Sequence, residues 1–206
     1  MAVTLLSCGS ASAELIITGV VDGDLTGGNP KAILLTATAD ITDLSVWGVG
    51  SANNGGGTDG EEFPLIGMAS LGDVIVVTGN SDSSAFFSNF DVTVFENGAA
   101  NINGDDAVEL FNDDLVVDTY GDIAVDGTDQ DWEYSDGYAV RTGGAAGVFD
   151  IANYNVVDDG LDGLTEAQQL DLVGTTFQLS PSAIPEPSSL ALLGLVGCAG
   201  FVRRRR

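Results

Sequence analysis

Short apolar and β-branched runs, each broken by glycine, asparagine or aspartate, recur from Leu15 to Arg141, and they constrain the fold more than any other feature of the chain. The clearest are Leu15–Val21, Ala32–Ala39, Leu44–Val49, Val74–Thr78, Phe90–Phe95, Val108–Phe111, Leu115–Tyr120 and Tyr138–Arg141. Runs this short suit strands rather than helices. Ile33-Leu34-Leu35 and Val74 to Val77 are continuously apolar, as expected of strands central to a sandwich. Val108–Phe111 and Leu115–Tyr120 flank Asn112-Asp113-Asp114, which reads as an acidic hairpin turn. Helical periodicity is confined to Thr165–Leu172, with Thr165 as cap, and to Asp82–Ser88. Glycine-rich loops (Gly23–Gly28, Gly48–Gly60, Gly143–Gly147) separate the strands. The pattern predicts an all-β fold, an antiparallel β-sandwich, over residues 14–183.

That segment is one domain's length and can bury a proper core. It holds two basic residues, Lys31 and Arg141, against thirty acidic ones, a formal charge of −28. Nucleic acid is disfavoured as a partner, because almost no cations are present to release phosphate counterions. Both cysteines, Cys8 and Cys198, fall outside the domain, which therefore has no disulfide or thiolate metal site. The chain contains no histidine. That removes Ser-His-Asp and Cys-His catalysis and histidine-ligated zinc. A two-carboxylate hydrolytic site, as in a carbohydrate-active enzyme, stays open as the alternative. Among thirty acids some pair will meet its spacing by chance, so the reading is non-enzymatic.

The two ends read differently from the middle. Residues 184–206 contain Pro185-Glu186-Pro187, an apolar run from Leu190 to Val202 and then Arg203-Arg204-Arg205-Arg206. The prolines cannot sit inside a helix and mark where the folded domain stops. The apolar run predicts a short transmembrane helix. From Ser188 to Val202 it would rise about 22 Å, against a hydrocarbon core of about 30 Å, and the arginines would hold its end on the cytoplasmic face. Pro-Glu-Pro-Ser-Ser, the apolar run and the arginines together resemble the PEP-CTERM sorting tail of Gram-negative bacteria. The resemblance implies processing by the membrane enzyme exosortase and delivery of an inner-membrane-anchored precursor to the cell surface or extracellular polysaccharide matrix. A retained single-span anchor is the other reading of the same residues. At the opposite end, residues 1–13 read as a signal peptide, with the apolar Ala2–Leu6 and the small-residue cleavage pattern Ala11-Ser12-Ala13. No basic segment precedes it, so the start is expected upstream of Met1. Leu5-Leu6-Ser7-Cys8 loosely fits a lipobox, which competes with that cleavage.

Within the domain, Leu15 to Gly23, Thr38 to Gly50 ("TADITDLSVWGVG") and Leu71 to Asn80 ("LGDVIVVTGN") resemble strands of lamin-tail-like domains. The most specific piece is Asn103-Gly104-Asp105-Asp106-Ala107-Val108-Glu109-Leu110-Phe111, with Tyr120-Gly121-Asp122, Trp132 and Val140-Arg141 following. The resemblance implies an immunoglobulin-like sandwich in an exported protein that acts as a binding or structural module. Gly19 departs from it, since such domains often carry Glu after the first strand.

Three groups of residues are candidates for chemistry. Asp158, Asp162 and Glu166, with the Leu164 carbonyl and Gly163 at the turn, resemble the first part of an EF-hand-like loop and mark a calcium site. Gly160 and Gln169 depart from that pattern. Asp126, Asp129, Asp131 and Glu133 form a second acidic loop suited to a hard cation. Trp132 and Tyr134 are candidates for stacking on a sugar ring, whereas Trp47 reads as core. Arg141 reads as a structural ion-pair partner. No cofactor is required by this reading, with calcium the one candidate. The expected protein is an exported structural or adhesive surface component, with exosortase and matrix polysaccharide as partners.

Overall fold

The computed structural model describes residues 13–182. The expected signal segment and the membrane helix of the tail fall outside this range. Among the described residues no helix is long and apolar enough to cross a membrane. The elements in chain order are β1 (Leu15–Leu25), β2 (Asn29–Ala37), β3 (Trp47–Ala52), β4 (Phe63–Pro64), β5 (Val74–Thr78), α1 (Ser81–Phe87), β6 (Thr93–Glu96), β7 (Ala107–Asn112), β8 (Leu115–Tyr120), β9 (Gly137–Arg141), β10 (Tyr154–Val157) and α2 (Glu166–Thr176). They build two sheets, a six-stranded one ordered β10-β9-β1-β2-β5-β6 and a four-stranded one ordered β4-β3-β7-β8. The all-β sandwich expected from the short apolar runs is present.

The inner core follows strand alternation. β2 sends Ile33, Leu35 and Ala37 into it, and β5 sends Ile75 and Val77. β1 contributes Leu15 and Ile17, then Val20, because a bulge between Ile17 and Gly19 shifts its phase by one residue. Trp47, Val49, Val108, Leu110 and Tyr120 meet them from the four-stranded sheet. Trp47 is core, as its apolar setting predicts.

Two features depart from a purely antiparallel sandwich. β5 and β6 pair in parallel, with α1 as the crossover between them. And the outer face of the six-stranded sheet is covered as well: Val21, Leu34 and Val76 pack on Phe86, Phe87 and Phe90 around α1 and on Leu161 and Val173 around α2. This second core explains why Ala32–Leu35 of β2 and Val74–Val77 of β5 are continuously apolar instead of apolar at alternate positions. The cover also fixes Gly19, since a Cβ there would run into the Phe177 ring and the Ala139 carbonyl.

The local signals are in place. Asn80 caps α1 by accepting the Ser83 N–H at 3.0 Å. At α2 the Gln168 side chain accepts the Thr165 N–H at 3.0 Å. Asp113 and Asp114 take positive φ in the β7–β8 hairpin (49° and 63°), a conformation Asp tolerates better than most residues. Leu44–Val46 is a 3-10 turn rather than strand, with Asp43 accepting the Ser45 N–H. The short strands β4 and β10 carry no strong apolar run, and their sequences gave no signal.

Candidate functional site

The charge distribution is set by what happens to the domain's two cations, both of which are buried. Lys31 stands directly opposite Asp22 in the β1–β2 ladder, both on the inner face. Its Nζ donates to Asp22 at 2.5 Å, to the Ile102 carbonyl at 2.8 Å and to Asn103 Oδ1 at 3.1 Å. The Gly104 N–H donates to the other Asp22 oxygen at 2.8 Å. Asp106 in turn accepts the N–H groups of Asn54 and Asn103. The Asn103–Asp106 segment is therefore a clamp on a buried ion pair. Burial raises the Asp22 carboxyl, and Lys31 pulls it back. Arg141 is engaged the same way by Asp118, so its expected structural role holds; the two side chains are 5% and 1% exposed.

With Lys31 and Arg141 inside, the described surface carries carboxylates and no free cation. One ridge of acids lies beside α2. Asp24, at the end of β1, accepts the Gly163 N–H at 2.7 Å and the Gln169 side-chain amide at 2.8 Å. Asp136 has its carboxyl raised by partial burial and then by Asp24, Asp162 and Asp159. Asp158 is raised by burial and then by Asp159 and Glu133. Asp24 and Asp136 join this ridge from distant parts of the chain, so sequence reasoning missed them.

The expected calcium loop does not close as an ion cage. Leu161 is buried, Asp162 lies toward Asp24 and Asp136, and Glu166 starts α2 beside Leu25, Asp82 and Phe86. Among the described residues no three Asp, Glu, His or Cys side chains stand close enough together to hold a metal ion. Asp158, Asp162 and Glu166 thus do not form a ligand set, because α2 begins where an EF-hand loop would still be turning. The second loop also uses its acids internally. Asp126 accepts the Thr128 N–H at 3.0 Å, which lowers its carboxyl. Glu133 accepts the Asp129 N–H at 2.7 Å and the Ser135 hydroxyl at 3.0 Å.

Trp132 and Tyr134 are not available to a glycan. They are 6% and 0% exposed and stack edge-on against Tyr120, at 6.3 and 5.4 Å between centroids. The Tyr120 hydroxyl donates to the Trp132 carbonyl at 2.7 Å, and that of Tyr134 to the Asp106 carbonyl at 3.0 Å. Satisfied hydroxyls and edge-to-face rings make this a wall of the inner core rather than a sugar platform. The acidic residues around them gave the segment its loop-like look in the sequence, although the rings point inward.

Neither a curated protein nor a solved structure matches the chain. Residues 183–206 match the family model of the PEP-CTERM protein-sorting motif. That match covers Pro185-Glu186-Pro187, the apolar run and Arg203 to Arg206, the residues that carried the resemblance. The chain thus bears the PEP-CTERM signal of an exported protein that exosortase sorts to the cell surface.

Proposed function

We propose that the protein is a non-enzymatic component of the cell surface or extracellular polysaccharide matrix, structural or adhesive in role. Its domain serves as a polyanionic module of lamin-tail-like, immunoglobulin-like type. The observation that carries the reading is that both basic side chains are buried in ion pairs, leaving the outer surface with one sign of charge. Such a surface repels anionic polysaccharide directly and meets it only through shared divalent cations. At physiological salt the screening length is about 8 Å, so the self-repulsion is tolerable where an exported protein works. The tail provides the route to that place.

The test is fractionation of cells producing the full chain and a chain lacking residues 184–206, each with an epitope within the domain. The full chain is expected in the matrix fraction, released by a chelator but not by sodium chloride of equal ionic strength. Retention that ignores the chelator would sink the cation-bridged reading. Polysaccharide turnover abolished by a single carboxylate substitution would replace it with the hydrolase alternative. A full-length C-terminus recovered in the membrane would favour the retained single-span anchor.

A further inference from the structure

Among the described residues, Glu109 is the carboxylate with both oxygens buried and without a hydrogen-bond partner. It lies in the middle of β7, flanked by the core residues Val108 and Leu110, and by alternation points to the outer face of the four-stranded sheet. An acid there belongs in solvent, yet Glu109 is only 1% exposed. Neither of its carboxylate oxygens has a hydrogen-bond partner among the described residues.

A strap formed by Thr58–Glu62 hides it. Glycines in β3 allow the strap to lie flat on the sheet. Gly50 is the ladder partner of Glu109, and a Cβ on it would stand 2.7 Å from the Gly60 carbonyl. A Cβ on Gly48 would collide with the Glu61 side chain. The strap is pinned by its backbone, the Glu62 N–H donating to the Val49 carbonyl at 3.1 Å. Its side chain is pinned too, Glu62 Oε2 accepting the Ser51 N–H at 3.0 Å. Burial holds the Glu109 carboxyl above its ordinary range. The Thr58 hydroxyl opposes this from nearby, outside hydrogen-bonding geometry, and Asp59 and Glu62 add to it as like charges. A bare buried carboxylate with acids as neighbours is unfavourable unless it takes up a proton or meets a cation or a hydrogen-bond donor. Within the described chain no cation remains to supply, since Lys31 and Arg141 are engaged elsewhere.

We infer that Glu109 and the Thr58–Glu62 strap packed over it form a binding site for a single hard divalent cation, calcium by its donor set. Every available donor is an oxygen: the Glu109 carboxylate, the Thr58 hydroxyl and the Gly60 carbonyl, with the exposed Asp59 and Glu62 beside them. Three carboxylates do not converge here. The shell is therefore completed by neutral oxygens and water, which calcium accepts in irregular sets of six to eight, whereas magnesium demands a near-octahedral one. The exposed acids of the strap give the ion its way in from solvent. The inference does not rest on the matrix reading, since chelator-resistant adhesion would leave calcium binding at Glu109 untouched.

The experiment is calorimetric titration of calcium chloride into the full chain stripped of metal, at constant physiological ionic strength. It compares the natural chain with Glu109→Gln and with Asp171→Asn, which removes an exposed acid from α2. The natural chain and Asp171→Asn should show one saturable site above diffuse binding, and Glu109→Gln should bind more than about tenfold more weakly. Identical isotherms for all three chains would overturn the inference. Should Glu109→Gln fail to fold, Asp59→Asn with Thr58→Ala alters only exposed strap residues. Unchanged affinity in that double variant would equally overturn it. Proteolysis within the strap offers a separate readout: calcium should slow cleavage after Glu61 and Glu62 in the natural chain and not in Glu109→Gln.

Discussion

Asp118 on β8 and Arg141 on β9 join the two sheets, Arg141 Nη2 donating to both Asp118 carboxylate oxygens at 2.7 Å, and they bracket Ile17 of β1. The Ile17 N–H donates to Asp118 at 2.9 Å, and its carbonyl accepts from Arg141 Nε at 2.6 Å. This is where β1 has left the β9 ladder, which begins only at Gly19. The pair thus satisfies two backbone groups that the sheet itself does not. Asp118 also accepts the Gly147 N–H, tying down the glycine-rich loop after β9.

Replacing one partner leaves the other charge buried without compensation. Asp118→Asn and Arg141→Met should each lower unfolding free energy by about 3–5 kcal/mol. The double variant should lose less than the sum of the two, as coupled neighbours do. Urea denaturation of the three chains measures this, and simple additivity would show that the pair is not coupled.

Leu34 tests the helical layer. On a sandwich with a wet outer face, Leu34→Ala would cost little. Here Leu34 is 1% exposed beneath the helices, so the substitution should cost about 2–5 kcal/mol. A loss below about 0.5 kcal/mol, typical of surface substitutions, would mean that the helices do not cover the sheet.

Trp132→Ala should destabilise by about 3–5 kcal/mol, because it empties a space lined by Tyr120, Phe149 and Gly121. The fraction that stays folded should associate with polysaccharide as the natural chain does. A folded variant that loses association would return Trp132 to the role of a sugar contact.

The domain should gain stability as pH falls from neutrality toward about 4, the ordinary carboxyl value, at fixed ionic strength. Asp106 is raised by burial, and Asp136 and Asp158 by burial and acidic neighbours. A carboxyl raised in the folded chain contributes stability below its ordinary value near 4, and that contribution is lost as pH climbs through the folded value. Asp43 and Asp126 are lowered by hydrogen bonds from Ser45 and Thr128 and act in the opposite sense, but both sit at exposed turns. The melting midpoint across that range is the measurement. A midpoint that falls with acidification would show the lowered groups to dominate.

Asp162→Asn should leave calcium affinity unchanged, since Asp162 lies toward Asp24 and Asp136 and not in a ligand set. Its calorimetric titration beside Glu109→Gln separates the acidic ridge from the strapped site.

What the sequence determined by itself is local. Strand-length apolar runs made the sandwich, Asn112-Asp113-Asp114 made the hairpin, Asn80 and the Thr165–Gln168 pair started the helices, and the tail carried its address in contiguous residues. Arg141, the domain's single arginine among so many acids, had to find a carboxylate. The tertiary structure alone decided which faces are covered and which acids are neighbours. Val108-Glu109-Leu110 reads as an ordinary half-buried strand, and only the strap, lying on Gly48 and Gly50 from a loop that alternation does not describe, removes Glu109 from water. Trp132 and Tyr134 sit among acids in the sequence but turn inward, where both rings pack edge-on against Tyr120 at the end of β8. Asp24 and Asp136 meet Asp162 across long stretches of chain. Burial and electrostatic neighbourhood depend on contacts distant in sequence, which spacing does not encode.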